Sequence, residues 1–281
     1  MSATPSLPTP RTDAGIAGLA ALLEQPERAM LAFDFDGVLS PIVDDPERAF
    51  AHPAVVPVLA RLAPRFQALA IVTGRPAEVV VRLGGFADVS ALAGLLVVGH
   101  YGEERWDART GEITAPPVAE GVESVRRALP RLLQEWGAPS GTRIEDKGRA
   151  VAVHVRQTAD PAAAAELLND RLTALAHDHD LVAQPGRMVL ELKPAGMDKG
   201  AALRSLVAEV GPRGVAYTGD DLGDLPAYDA VEELRGEGLA GLLVCSGSTE
   251  VTALAERADL VLDGPPGVVA FLEALAARLD A

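Results

Sequence analysis

The stretch Ala29-Met30-Leu31-Ala32-Phe33-Asp34-Phe35-Asp36-Gly37-Val38-Leu39-Ser40 decides the fold of this chain. Its first five residues are all apolar, with no polar side chain to mark a solvated face. That pattern reads as a strand buried on both sides of a sheet. The strand runs directly into two carboxylates. In extended backbone, residues two apart point the same way, so Asp34 and Asp36 can share one small volume at the strand's C-terminal end. Gly37 lets the chain turn sharply there. Two close carboxylates repel and need a cation or a shared proton. A calcium loop or a solvated turn would use the same residues, but the buried strand before them favours a catalytic site.

The pattern recurs on both sides. Short apolar runs ending in turn residues lie at 68–72, 95–98, 215–217, 242–245 and 260–262. Helical periodicity fills 54–62, 77–83, 199–207, 225–234, 249–256 and 268–279. Strand–helix alternation predicts an α/β fold, a mainly parallel sheet with helices on both faces. Polar residues then collect just after the strands, where such folds place their sites. The middle of the chain differs. Residues 121–136 and 161–176 read as helices, and 150–155 and 188–192 as strands, the former after the polar run 145–148. An α+β domain is therefore expected at 104–193, inserted into a core made of 13–103 and 194–281, with 1–12 as a flexible tail.

Composition narrows the function. The chain has 281 residues, 48% hydrophobic but only 4% aromatic, so Ala, Leu and Val must fill the interior. No apolar run approaches the roughly 20 residues that span a bilayer. The first eleven residues carry no apolar secretory segment, which makes the cytoplasm the expected location. Cys245 is the single cysteine, so no internal disulfide framework exists. It is expected to be a buried small hydrophobe. A formal net charge of −15 is ill suited to nucleic acid, whose binding draws on Lys and Arg. A small anion held by a metal and two or three basic side chains remains compatible with it. His177 and His179 are expected at a solvated helix end. Trp106 and Trp136 are expected in packing or hinge roles of the inserted domain, with Trp106 able to line a cleft.

Four segments carry chemistry. Asp34 could ligate a hard cation such as magnesium with one oxygen and attack phosphorus with the other. Asp36 could protonate the leaving oxygen and later take a proton from water. In Ile71-Val72-Thr73-Gly74-Arg75, a second buried strand ends in a hydroxyl that can donate to phosphate and a glycine that permits close approach. A helix beginning near Pro76 would offer free N–H groups to an anion. Arg75 could hold the loop or reach substrate. Lys199, in Met197-Asp198-Lys199-Gly200, opens an amphipathic helix, an unfavourable end for a cation unless an anion sits nearby. In Tyr217-Thr218-Gly219-Asp220-Asp221-Leu222-Gly223-Asp224, Asp220 is the second metal carboxylate, with Asp221 and Asp224 as support.

The order of nucleophile, hydroxyl, lysine and acidic loop is similar to that of haloacid-dehalogenase-superfamily phosphatases, and among them to trehalose-6-phosphate phosphatases. The resemblance implies a Rossmann-like core with an inserted cap of the larger C2 type. It implies Asp34 as nucleophile, Asp36 as general acid and base, and phosphate contacts from Thr73, Gly74 and Lys199. Mg2+ would be held by Asp34, the Asp36 backbone carbonyl and Asp220. The cap of that family has segments resembling Ile144-Glu145-Asp146-Lys147-Gly148 and Glu191-Leu192-Lys193-Pro194, whose acidic side chains bind sugar hydroxyls. Glu145, Lys147 and Glu191 are thereby the expected specificity residues. The chain departs from the family at Gly223-Asp224-Leu225, where Thr-Asp-Glu is usual, and at Tyr101, where His is common. Expected partners are a small sugar phosphate and neither nucleic acid nor membrane, with a monomer favoured. The alternatives are a phosphatase for sucrose phosphate or a glucosylglycerol or glucosylglycerate phosphate, and a non-enzymatic phosphorylation-dependent binding module.

Overall fold

The structure is a computed structural model that describes residues 6–186, 188–247 and 252–280. The strands, in chain order, are β1 (Ala29–Phe33), β2 (Ala68–Val72), β3 (Leu95–Gly99), β4 (Glu104–Asp107), β5 (Ile113–Thr114), β6 (Arg143–Asp146), β7 (Val151–His154), β8 (Leu181–Gly186), β9 (Val189–Pro194), β10 (Gly214–Gly219), β11 (Ala240–Gly247) and β12 (Leu260–Asp263). The helices are α1 (Asp13–Glu24), α2 (Val55–Leu62), α3 (Ala77–Gly84), α4 (Glu120–Glu135), α5 (Pro161–Asp178), α6 (Lys199–Val210), α7 (Leu225–Gly236), α8 (Thr252–Arg257) and α9 (Gly264–Leu279). Part of the helix expected at 249–256, residues 249–251, lies outside the described residues.

The chain divides into two compact units, residues 1–115 with 198–281, and residues 116–197. The first is built on an eight-stranded sheet ordered β12-β11-β10-β1-β2-β3-β4-β5. The six strands from β12 to β3 run parallel, and β4 and β5 add antiparallel strands at one edge. All five residues of β1 are buried, as are those of β2 and β3. Alternate side chains of β1 serve two cores. Leu31 and Phe33 join Leu22, Leu59, Val80 and Leu272 on one face. Met30 and Ala32 join Leu203, Tyr228 and Leu254 on the other. Each such large apolar side chain contributes roughly 1.5–3 kcal/mol by leaving water. This is why the strand carries no polar residue until Asp34.

Three sequence expectations change here. The hairpin β4–β5, expected to open the inserted domain at 104, instead extends the core sheet. Trp106 pairs with Val97 of β3 and is buried in the core, so it belongs to the first unit and not to the inserted domain; the cavity it borders is lined by core-unit residues such as Phe86 and Ala108. Arg11 and Thr12, expected in a flexible tail, are tied down. The Arg11 amide bonds to the Asp259 carbonyl at 2.8 Å, and Thr12 caps α1 and bonds to the Asp259 side chain. Cys245 is fully buried on β11, with its thiol pushed up to about 11 by burial.

The second unit is a four-stranded antiparallel sheet ordered β6-β7-β9-β8, packed against α4 and α5. Val151, Val153, Leu190 and Leu192 meet Val125, Leu129, Leu168 and Leu172 in its core. The strand β6, Arg-Ile-Glu-Asp, is exposed throughout, so no hydrophobic pattern announces it. β8 ends in Pro185-Gly186 and lies at the other edge, where a missing N–H is tolerated. Sheet register places Glu145 opposite Ala152 and Ala152 opposite Glu191. Directly opposed residues share a face, so both carboxylates stand on the side of the sheet away from the helices, with a methyl between them.

Candidate active site

β10, β1 and β2 are neighbours in the sheet, and all three end at the same edge. Their C-terminal loops therefore bring Asp220, Asp34 and Thr73 together from far apart in the chain. The Asp34 amide continues the ladder, bonding to the Thr218 carbonyl at 2.8 Å, before the chain turns away. Gly37 sits at φ +71°, and a Cβ there would lie 2.0 Å from Asp220 Oδ2. Both the backbone conformation and the approach of Asp220 thus require glycine. The turn is also held from β11, where the buried Ser246 hydroxyl donates to the Gly37 carbonyl at 2.5 Å. Ser246 carried no sequence signal, because its partner is 209 residues distant.

Oxygens of Asp34, Asp220 and Asp224 lie within 4.8 Å of one another, all three side chains being buried. Lys199 is the cation set among them. Its Nζ is 2.8 Å from Asp34 Oδ2 and 2.8 Å from Asp224 Oδ1. The conflict expected from a lysine opening α6 is therefore met by two carboxylates. Asp224 is held below the usual carboxylate range, against its burial, by Lys199, the Tyr217 hydroxyl and the Asp220 amide. Asp34 is pushed up to about 8, burial outweighing the share of Lys199 it receives. Asp220 is pushed up to about 9 by burial and by the charges of Asp34 and Asp224. One ammonium cannot neutralise this set. Asp34 and Asp220 are left with oxygen donors and buried charge in excess of the ammonium, the donor set of a hard divalent ion.

The supporting residues are placed as follows. Asp36 has both oxygens on the Arg75 guanidinium, at 2.6 Å and 2.8 Å. Arg75 also donates to the Pro46 carbonyl at 2.9 Å, so it ties the loop after β1 to the loop after β2. Thr73 is buried, and its oxygen accepts the Arg75 amide at 3.1 Å, leaving the hydroxyl hydrogen to donate. Gly74 has no room for a side chain, because a Cβ there would meet the Tyr101 ring at 2.6 Å. The free N–H groups expected at the start of α3 are also partly engaged, since the Ala77 amide donates to Glu104 Oε2 at 3.0 Å. Asp221 caps the turn after β10 through the Gly223 amide at 2.8 Å, and Asp224 returns the cap to the Asp221 amide. In the second unit, Lys147 Nζ lies 3.3 Å from Glu191 Oε2, and His154 Nε2 lies 2.7 Å from Glu145 Oε2. His154, on a strand that resembles one in the family's cap, is brought beside the candidate specificity residue Glu145 by the pairing of β6 with β7. His177 is solvent-exposed at the end of α5, as expected.

A mainly parallel sheet with a buried acidic cluster at its C-terminal edge and a separate antiparallel α+β unit defines a haloacid-dehalogenase-type hydrolase fold. A family model described as trehalose-phosphatase matches residues 32–260, and the chain belongs to that family. It is 32% identical over 265 residues to a trehalose-phosphate phosphatase of Mycolicibacterium paratuberculosis, covering 88% of this chain and 62% of that protein. A trehalose-phosphate phosphatase of Mycobacterium tuberculosis strain H37Rv is 32% identical over 267 residues, covering 88% and 61%. The chain thus spans about three-fifths of the length of the curated relatives it matches. Its fold is shared with a Candida albicans trehalose-6-phosphate phosphatase C-terminal domain, at a TM-score of 0.73, 20% identity, and coverage of 96% and 99%. An Aspergillus fumigatus trehalose-6-phosphate phosphatase structure matches at a TM-score of 0.68 and 24% identity, with the same coverage of each chain. No helix among the described residues is long and apolar enough to cross a membrane.

Proposed function

We infer that this chain hydrolyses trehalose 6-phosphate to trehalose and phosphate, with Asp34 as the nucleophile and Mg2+ as the cofactor. The observation that carries the reading is the buried Asp34–Asp220–Asp224 group around Lys199, set at the end of adjacent parallel strands in a member of the trehalose-phosphatase family. Asp34 and Asp220, with the Asp36 backbone carbonyl, would hold the ion, which when bound offsets negative charge on the phosphoryl oxygens.

The chain's own residues account for the rest. An Asp34 oxygen forms a bond to phosphorus as the sugar oxygen leaves with its electron pair. Asp36 supplies that oxygen's proton, then takes one from the water that cleaves the aspartyl phosphate. Arg75 takes one acceptor site on each Asp36 oxygen and leaves the second lone pair of each for the proton transfers. Lys199 neutralises charge next to the transferring group, and Thr73 can donate its hydroxyl to a phosphoryl oxygen. Arg75 positions Asp36 and the loop at Pro46. Gly74 admits Tyr101 against the loop and, having no side chain, would let its backbone approach a phosphoryl oxygen. Glu145, Lys147 and Glu191 would accept and donate hydrogen bonds to sugar hydroxyls; of the three only Glu191 is buried, and a buried carboxylate disfavours molecules that leave it unpaired.

The test is phosphate release by the purified chain from a panel containing trehalose 6-phosphate, sucrose 6-phosphate, glucosylglycerol phosphate and an aryl phosphate, with magnesium and with EDTA. Preferred, magnesium-dependent turnover of trehalose 6-phosphate is expected. Preference for another sugar phosphate would move the substrate assignment. Single-turnover or absent release with every phosphate would indicate the binding module instead.

A further inference from the structure

Asp224 is held by the protein on both of its oxygens. Its Oδ2 accepts the Asp220 amide at 2.9 Å and the Asp221 amide at 3.1 Å. Its Oδ1 accepts Lys199 Nζ at 2.8 Å and the Tyr217 hydroxyl at 2.6 Å. Four donors match the four lone-pair sites of a carboxylate, which leaves Asp224 committed to the protein. Lys199 therefore stands between two competing anions, Asp34 and Asp224, each at 2.8 Å. An ammonium in that position moves toward whichever oxygen is less satisfied. The oxygen of Asp224 that it touches is the one Tyr217 also touches.

We propose that Tyr217 is a positioning residue of the phosphoryl-transfer site: its hydroxyl occupies Asp224 Oδ1, limits that carboxylate's hold on Lys199, and keeps the ammonium directed at Asp34 and the phosphoryl group transferred to it. The inference rests on the reading that Asp34 is the nucleophile of a phosphatase. A hydrogen bond to a charged partner in a dry interior is stronger than a neutral one, so this hydroxyl has leverage. Its placement is rigid. Tyr217 lies within β10, is fully buried, and is packed edge-on against Tyr228 with ring centroids 6.3 Å apart at 88°.

Tyr228 supplies a matched contrast. It is equally buried and touches the same ring, yet its hydroxyl has no hydrogen-bond partner among the described residues. Removing either hydroxyl leaves both rings in place. Only one removal reaches Asp224.

The experiment compares wild type, Tyr217→Phe and Tyr228→Phe as full-length chains in saturating magnesium. The readouts are kcat and KM for the preferred sugar phosphate, affinity for beryllofluoride as a phosphoryl mimic, and the near-ultraviolet circular dichroism of the folded protein. Tyr217→Phe is expected to lower kcat about tenfold or more, the effect of losing one hydrogen bond to a charged group. Its KM should stay within about twofold, its beryllofluoride affinity should weaken in parallel with kcat, and its folded spectrum should persist. Tyr228→Phe should stay within about twofold of wild type in every readout. The inference is overturned if Tyr217→Phe keeps wild-type kcat, if both variants lose activity equally, or if Tyr217→Phe loses its folded spectrum, since the bond would then serve the fold. An inactive wild type would overturn the phosphatase reading and this inference with it. An active wild type beside an unaffected Tyr217→Phe overturns the inference alone.

Discussion

Replacing Asp220 by asparagine should stabilise the metal-free protein while removing its response to magnesium. In the metal-free state the Asp220 carboxyl is pushed up to about 9 from 3.8 by burial and by neighbouring Asp34 and Asp224. Between those values the unfolded chain has released a proton that the folded chain still holds. Stability from this group is thus complete below about pH 4, falls as pH rises, and is lost as pH passes about 9. Near pH 8 the gap from 3.8 is about four pKa units, an upper limit near 6 kcal/mol at about 1.36 kcal/mol each. The share of Lys199 is already contained in that shift, and relaxation with water penetration on ionisation roughly halves the limit, to an expected gain of about 3 kcal/mol. The asparagine amide is isosteric with the protonated acid and cannot ionise. In EDTA near pH 8 the melting midpoint of Asp220→Asn should rise by about 6–12 °C, at roughly 2–4 °C per kcal/mol for a chain of this class. The wild type should gain about 2.7 kcal/mol from magnesium at about a hundred times its dissociation constant, and the variant should gain little. Scanning calorimetry in EDTA and in magnesium, near pH 5 and pH 8, reads all four conditions. An Asp220→Asn protein that melts below wild type in EDTA near pH 8, or that magnesium stabilises as strongly as wild type, would refute the account of Asp220 as an uncompensated metal carboxylate.

The remaining predictions concern single side chains. Asp34→Asn should lower turnover by at least about a thousandfold, because the amide cannot act as the nucleophile, while circular dichroism shows an intact fold. Full activity in magnesium would exclude Asp34 from that role. Glu145→Gln and Glu191→Gln should reduce kcat/KM for trehalose 6-phosphate about ten- to a hundredfold and for an aryl phosphate less than about threefold, and equal losses would remove both residues from sugar recognition. Asp259→Ala should destabilise the core unit by about 3–5 kcal/mol, since Asp259 is buried against Arg235 and accepts the Leu243 amide at 2.7 Å. A melting midpoint within about 2 °C of wild type would show that the bond network anchoring Thr12 is dispensable.

The core sheet was legible in the sequence because its strands are buried on both faces. Continuous apolar runs ending at Asp34, Thr73 and Asp220 announce both the strand and the loop where chemistry collects. Lys199 was legible through a local conflict, a cation at the positive end of a helix. The segments that escaped reading lack such signals. β6 is a polar edge strand, β4 and β5 are short edge additions, and α1 carries Gly15 and Gly18 where it meets the sheet. At Gly18 a Cβ would lie 1.9 Å from the Gly241 carbonyl oxygen, a contact that no helical periodicity reveals.

The order of residues alone thus determined an α/β core with an inserted α+β unit, the chemical types at the four loops and the family they resemble. Tertiary structure decided which of those groups face one another. It placed Asp224 on Lys199 and Tyr217, Asp36 on Arg75, Ala77 on Glu104 and Tyr101 against Gly74, and gathered more carboxylate charge around Asp34 and Asp220 than one ammonium offsets. The physical reason is that periodicity reports which face of an element is buried. Charge balance depends on the lateral order of strands and on ångström-scale approach between residues as much as two hundred positions apart.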